Sequence, residues 1–184
     1  MKLLLFLGAS LLAQADSVPP ISNLKARSPS VQINPNIMFI PSSPAPRSRS
    51  KRVTFMAQSD DESCGEINPT EHYNSNDPLV SDCNAIASHA ASIGPGVFYI
   101  SDAEFQAVGY SNFVTVATSG TCAYKFRLAP GYTGTYAKVG TNDVRFEITV
   151  TARHSTTGHI WALGGIDCFW DGTSALAHFG IMSP

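Results

Sequence analysis

Charge is scarce in this chain: Asp, Glu, Lys and Arg together make up 14% of its 184 residues. Basic residues thin out further beyond position 52, where only Lys125, Arg127, Lys138, Arg145 and Arg153 face thirteen acidic residues, a formal net charge of −8 against −2 for the whole chain. So acidic a stretch is drawn neither to a phosphate backbone nor to anionic lipid, which excludes nucleic acid as a partner. No apolar run reaches the roughly 18 residues of a membrane span. Close CxxC pairs are missing too; 18, 38 and 45 residues intervene between the four cysteines, which argues against a zinc site. GxSxG, HExxH and phosphate-loop signatures are lacking, and no cysteine is left over as a nucleophile. These absences predict no catalytic, cofactor-binding or metal-binding residue and favour binding over chemistry.

What is present falls into three zones. Residues 1–15, MKLLLFLGASLLAQA, carry Lys2, an apolar run from Leu3 to Leu12, and a small-x-small site ending at Ala15. That is the pattern of a secretory signal peptide, so the protein is expected outside the cell. Residues 16–52 hold seven of the twelve prolines and eight serines but no glycine. Their few apolar residues, Val31, Ile33, Ile37, Met38, Phe39 and Ile40, are fenced by Pro29, Pro35 and Pro41, which predicts a disordered or polyproline-like tail. The zone ends in Arg49-Ser50-Lys51-Arg52, stacked charges that fit the acidic cleft of a processing protease. Cleavage after Arg52 would start the mature chain at Val53; an uncut basic linker is the alternative. Residues 53–184 then form one domain, long enough to build a core.

Cys64, Cys83, Cys122 and Cys168 all lie in that domain, and an even count in an oxidising compartment predicts two disulfides. In SDCNAIASHAASIGPG, Cys83, Ile86, Ala87, Ala90 and Ile93 form one helical stripe, with Ser81 or Asp82 as cap and Gly94-Pro95 as stop. Around Ser119-Gly120 two alternating runs predict a hairpin with Cys122, Tyr124, Phe126 and Leu128 facing inward. A second hairpin is predicted around Asp171-Gly172, with Ile166, Cys168 and Trp170 on one face. Val144 to Arg153 reads two ways: it alternates like a strand, yet Asn142-Asp143 suits a helix N-cap and Val144, Ile148 and Ala152 recur every four residues. Four cysteines allow three connectivities. If the Cys64 segment adds a strand beside the first hairpin, Cys64 reaches Cys122 and Cys83 is left for Cys168, and this pairing is the expectation.

Other side chains have a functional and a plainer reading. Asp143 and Glu147, four apart, could act as a carboxylate pair, but a helix-terminus charge and a solvated side chain are the simpler roles. Asp102 and Glu104 read as an exposed polar loop, and Asp60, Asp61, Glu62, Glu66, Glu71 and Asp77 as a solvated acidic leading strand. His154 and His159 flank a turn and read as a solvated pair. Trp161, Phe169, Trp170 and Phe179 read as core and hairpin packing.

The ordered landmarks Ser63-Cys64-Gly65, Asp82-Cys83, Gly120-Thr121-Cys122-Ala123-Tyr124, Val139-Gly140 before Asp143-Val144, Gly158, and Gly164-Gly165-Ile166-Asp167-Cys168 carry a resemblance. Over about Cys64 to Ile181 the chain resembles the fungal secreted effectors known as necrosis-inducing factors, homologues of extracellular protein two. The resemblance implies a small disulfide-stabilised α+β fold, a two-layer sandwich of antiparallel sheet with one or two helices, and a helix after Asp143-Val144. It also implies a secreted effector that provokes necrosis by binding a host protein or cell-surface target, with no enzymatic residue. Family likeness to viral killer toxins implies an alternative, an antimicrobial protein aimed at competing microbes, and a small secreted hydrolase is the third reading.

Overall fold

The apolar stripe of the first predicted helix and the two predicted hairpins meet in one core. The structure, a computed structural model, describes residues 29–42, 64–132, 136–170 and 173–184. Along the chain run β1 (Gln32–Ile33), β2 (Met38–Pro41), β3 (Cys64–His72), α1 (Val80–Ser92), β4 (Gly96–Ile100), α2 (Asp102–Val108), β5 (Val114–Ser119), β6 (Cys122–Leu128), β7 (Ala137–Gly140), α3 (Thr141–His154), β8 (Trp161–Trp170) and β9 (Thr173–Met182). They build an antiparallel six-stranded sheet in the order β1-β5-β6-β9-β8-β3 and an antiparallel three-stranded sheet in the order β2-β4-β7. The fold is α+β, with three helices among the described residues where one or two were expected. The extra one is α2, which places Asp102 and Glu104 in a helical first turn rather than a loop.

Sequence patterns explain most of these elements. α1 buries Cys83, Ile86, Ala87 and Ala90 of the predicted stripe, leaves its fifth residue, Ile93, half-buried at the C-cap, and ends before Gly94 at φ +86°. It starts earlier than expected, with Leu79 at the N-cap and no side-chain cap bond; Asp82 has another task, described below. β6 turns Cys122, Tyr124, Phe126 and Leu128 into the core, as its alternation requires. In β8 and β9, Gly164 opposes Phe179, and a Cβ at Gly164 would lie 2.3 Å from the Phe179 ring, so only glycine admits that fully buried aromatic. The turn at 171–172 and the side chains of Phe169 and Trp170 lie outside the described residues.

The two-way segment is helical. α3 buries Val144, Glu147, Ile148 and Thr151, the i, i+3, i+4, i+7 spacing that a helix can place on one face and a strand cannot. Its N-cap is Gly140 rather than Asn142 or Asp143. Asp143 sits in the first turn and accepts a 2.9 Å hydrogen bond from the Gly140 backbone N–H, stabilising the helix start by charge as well.

Two expectations are corrected together. Residues 29–42 do not form a disordered tail: β1 pairs with β5, β2 pairs with β4, and Ile37 between them is 5% exposed. Pro35 and Asn36 turn the chain between two short strands, so the prolines punctuate β structure instead of preventing it. Because β1 takes the outer edge of β5, the Cys64 segment cannot add there. β3 pairs instead with β8, in a register that sets Cys64 opposite Cys168. The disulfides are Cys64–Cys168 and Cys83–Cys122, not the expected pairing, and no described cysteine is free.

Candidate functional site

Three groups of side chains stand out. The first contains the carboxylates proposed from sequence. Glu147 is 1% exposed and accepts a 2.5 Å hydrogen bond from the hydroxyl of Tyr124, itself fully buried on β6. Burial holds the Glu147 carboxyl well above its usual range; the Tyr124 bond works against this, and the Asp143 charge adds to it. Tyr124 is raised well above the usual phenol range, first by burial and then by Glu147. Glu147 is therefore not solvated, and a neutral carboxyl bonded to a phenol is the form that burial favours. The clefts lined by Ala90, Gly94, Thr141 and Arg145, by Tyr110, Arg127 and Tyr132, and by Arg145, Phe146 and Arg153 do not include Glu147 or Tyr124. The pair links α3 to the sheet and has the geometry of a structural tie.

A second tie lies at the start of α1. The Asp82 carboxylate accepts bonds from the Thr121 N–H at 2.7 Å and the Thr121 hydroxyl at 2.8 Å. A Cβ on Gly120, at φ +52°, would sit 2.3 Å from that carboxylate, so the turn requires glycine twice over. The neighbouring Cys83–Cys122 bridge fastens the same helix to the same hairpin covalently.

The second group is a cluster of histidines and acids where β3 leaves the sheet. His72 donates from Nδ1 to Asp77 at 2.7 Å and stacks on Trp161 with ring centroids 4.2 Å apart. Glu71 accepts from the Tyr73 hydroxyl and from His154 Nδ1, the latter at 2.9 Å, while His159 Nδ1 donates to the Asp77 carbonyl at 2.8 Å. Desolvation, the bond to Glu71 and the Glu71 charge push Tyr73 up to about 12. Glu71 and Asp77 are thus engaged and half-buried rather than solvated, and His154 and His159 are each tied to a partner. The cluster straps the 155–159 turn to the β3–α1 connection; among the described residues, no group of three or more His, Cys, Asp or Glu is placed to hold a metal ion. Trp161 belongs to this half-buried surface, whereas Phe179 lies in the core as expected.

The third group is the outer face of α3. Phe146 is 54% exposed, and Arg145, Phe146, Thr149, Val150 and Arg153 line a shallow cleft of about 330 Å³. Arg145 also donates to Asn142 at 2.8 Å and borders a neighbouring cleft with Thr141 and Gly94. An alternating strand would have put Phe146 inward beside Val144 and Ile148, which is why sequence reasoning passed it over. The helical period turns it outward.

Of the other sequence-derived sites, Ala15, Arg52, Asp60, Asp61 and Glu62 lie outside the described residues, as does the side chain of Glu66. Among the described residues no helix is long and apolar enough to cross a membrane. No curated protein matches the chain. A family model, Hce2, described as "Pathogen effector; putative necrosis-inducing factor", matches residues 63–168, a span that takes in all four bridged cysteines and both ties of α1 and α3 to the sheet. That span is more than half of the chain, and the chain belongs to this pathogen-effector family.

Proposed function

We propose that the protein is secreted and acts on host tissue as a necrosis-inducing effector by binding a host target, with the outer face of α3 as its contact surface. Family membership and two extracellular-type disulfides support the secreted effector role. The observation that carries the binding surface is Phe146, an exposed aromatic flanked by Arg145 and Arg153 in a domain that is otherwise acidic. Aromatic and arginine side chains are the residues that dominate binding energy at interfaces. A partner with an apolar pocket and an acidic rim fits this face, and the −8 domain would repel the same partner elsewhere, which orients the encounter.

Infiltration of purified protein into leaf tissue tests the reading, with Phe146→Ala and Arg145→Glu/Arg153→Glu compared with the unaltered protein at matched thermal stability. The expected result is necrosis from the unaltered protein and at least a tenfold higher dose requirement for either variant. Necrosis undiminished in both variants would remove this face from the account. Growth inhibition of competing fungi or bacteria without any leaf response would replace the host by a microbial target.

A further inference from the structure

We propose that the edges of β5 and β4 form one strand-addition site whose ligand is the chain's own residues 31–41, and that this site keeps the segment bound as a separate chain once the connection to Cys64 is cut. The segment reaches both sheets. Gln32 and Ile33 pair with Thr118 and Ala117 of β5, and residues 38–41 pair with Tyr99, Phe98, Val97 and Gly96 of β4. Without it, β5 and β4 would each end their sheet with unpaired backbone groups, the arrangement that accepts an extended peptide.

The site is shaped for this ligand beyond its backbone bonds. Asn34 bonds twice to β5, through its N–H to the Val116 carbonyl at 3.0 Å and through Nδ2 to the Thr115 carbonyl at 2.9 Å. Ile37 enters the common core, and Phe39 lies 5.7 Å from the Phe98 ring. Gly96 provides clearance: a Cβ there would stand 2.6 Å from both the Ile40 carbonyl oxygen and the Phe39 ring. The Ser42 N–H closes the far end on the Pro95 carbonyl at 2.9 Å. Two short strands on one peptide act bivalently, because release of either leaves the other to hold it near its site.

Four basic residues between Pro46 and Val53 give this site a consequence. Hydrolysis after Arg52 by a protease selective for paired basic residues breaks one amide, adding water's hydroxyl to the Arg52 carbonyl carbon and its proton to the Val53 nitrogen. Residues 31–41 are untouched by that step. The processed protein is then two chains, held together by strand addition.

The test uses the full-length oxidised protein with residues 46–52 replaced by the recognition sequence of an unrelated site-specific protease. After complete cutting, native gel filtration with mass spectrometry of the peak should find the N-terminal fragment with the body that begins at Val53, and denaturant should separate them. Gly96→Val, which alters only the receiving edge, and Ile37→Asp should each speed release at least tenfold. A wild-type fragment eluting alone contradicts the proposal, whether or not the body stays folded. Equal retention in Gly96→Val contradicts the assignment of this edge.

Discussion

The six-stranded sheet is finished differently at its two edges. At one, the nine-residue β3 lies along β8 and is locked by Cys64–Cys168, which spans 104 residues of sequence. At the other, the two-residue β1 lies on β5, with Asn34, the β2 strand and one buried isoleucine to hold it. A sheet edge is a liability in water, and covalent locking and short strand addition are two ways of closing it. The locked edge keeps its strand whatever happens to the chain between; the clasped edge keeps its strand only as long as packing exceeds the entropy of a free peptide.

Breaking the locked edge should have the largest effect. Replacing Cys64 and Cys168 by alanine, or Cys83 and Cys122, should each remove about 2 to 4 kcal/mol from the denaturant-derived stability. The first pair should cost roughly 1 kcal/mol more, because loop entropy grows with the span closed, 104 against 39 residues. Equal or reversed costs would show that native-state geometry outweighs chain entropy here. The clasped edge comes next. Ile37→Ala should cost about 2 to 3 kcal/mol, as a core truncation does, whereas Leu176→Ala on the exposed face of β9 should stay within about 0.5 kcal/mol. Matching losses for the two would return residues 29–42 to the role of a tail.

The Tyr124–Glu147 tie sharpens the comparison through pH, since it lies between the two edges. Its carboxyl is raised in the folded state, so at neutral pH the native protein binds more protons there than the unfolded chain does. The stability gained from the protonated group is fully present below about pH 4.5, the ordinary carboxyl value, and is lost as pH rises toward the folded value. One group can contribute a slope of at most about 1.4 kcal/mol per pH unit. Glu147→Gln, which keeps a bonded neutral side chain, should flatten that part of the stability-pH curve; an unchanged slope would mean that the carboxyl is ionised in the fold. Phe146→Ala should have the smallest effect on folding, within about 0.5 kcal/mol, while lowering necrosis.

Much of this was legible in the sequence, and what was not has definite causes. The stripe of α1, both hairpins and the two disulfides follow from period, turn chemistry and cysteine count, while the α+β class is what the family resemblance implies. The disulfide pairing failed because it depended on which strand lies beside β5, a long-range fact that local pattern does not contain. Proline content hid that strand: Pro29, Pro35 and Pro41 flank and divide residues that are β-forming, and edge strands tolerate proline where central ones do not. Misreading residues 29–42 as a tail therefore also misplaced Cys64. At the candidate surface, Phe146 was passed over and Glu147 was expected to be solvated, and Val144 to Arg153 satisfies two periods at once; tertiary packing of Val144, Glu147, Ile148 and Thr151 selects the helix. His72 with Asp77 and Trp161 gave no spacing signal, since the strand, the turn and β8 bring them together from far apart.

Hydrogen exchange on the intact, oxidised protein tests most directly that residues 29–42 are part of the fold. The Asn34, Ile37 and Ser42 amides each donate a backbone hydrogen bond, to Val116, to Asn34 and to Pro95. These amides should exchange at least about 100-fold more slowly than in an unstructured peptide, and Gly96→Val should abolish that protection while sparing β8 and β9. Exchange of all three at the unstructured rate in the unaltered protein would contradict the clasped edge.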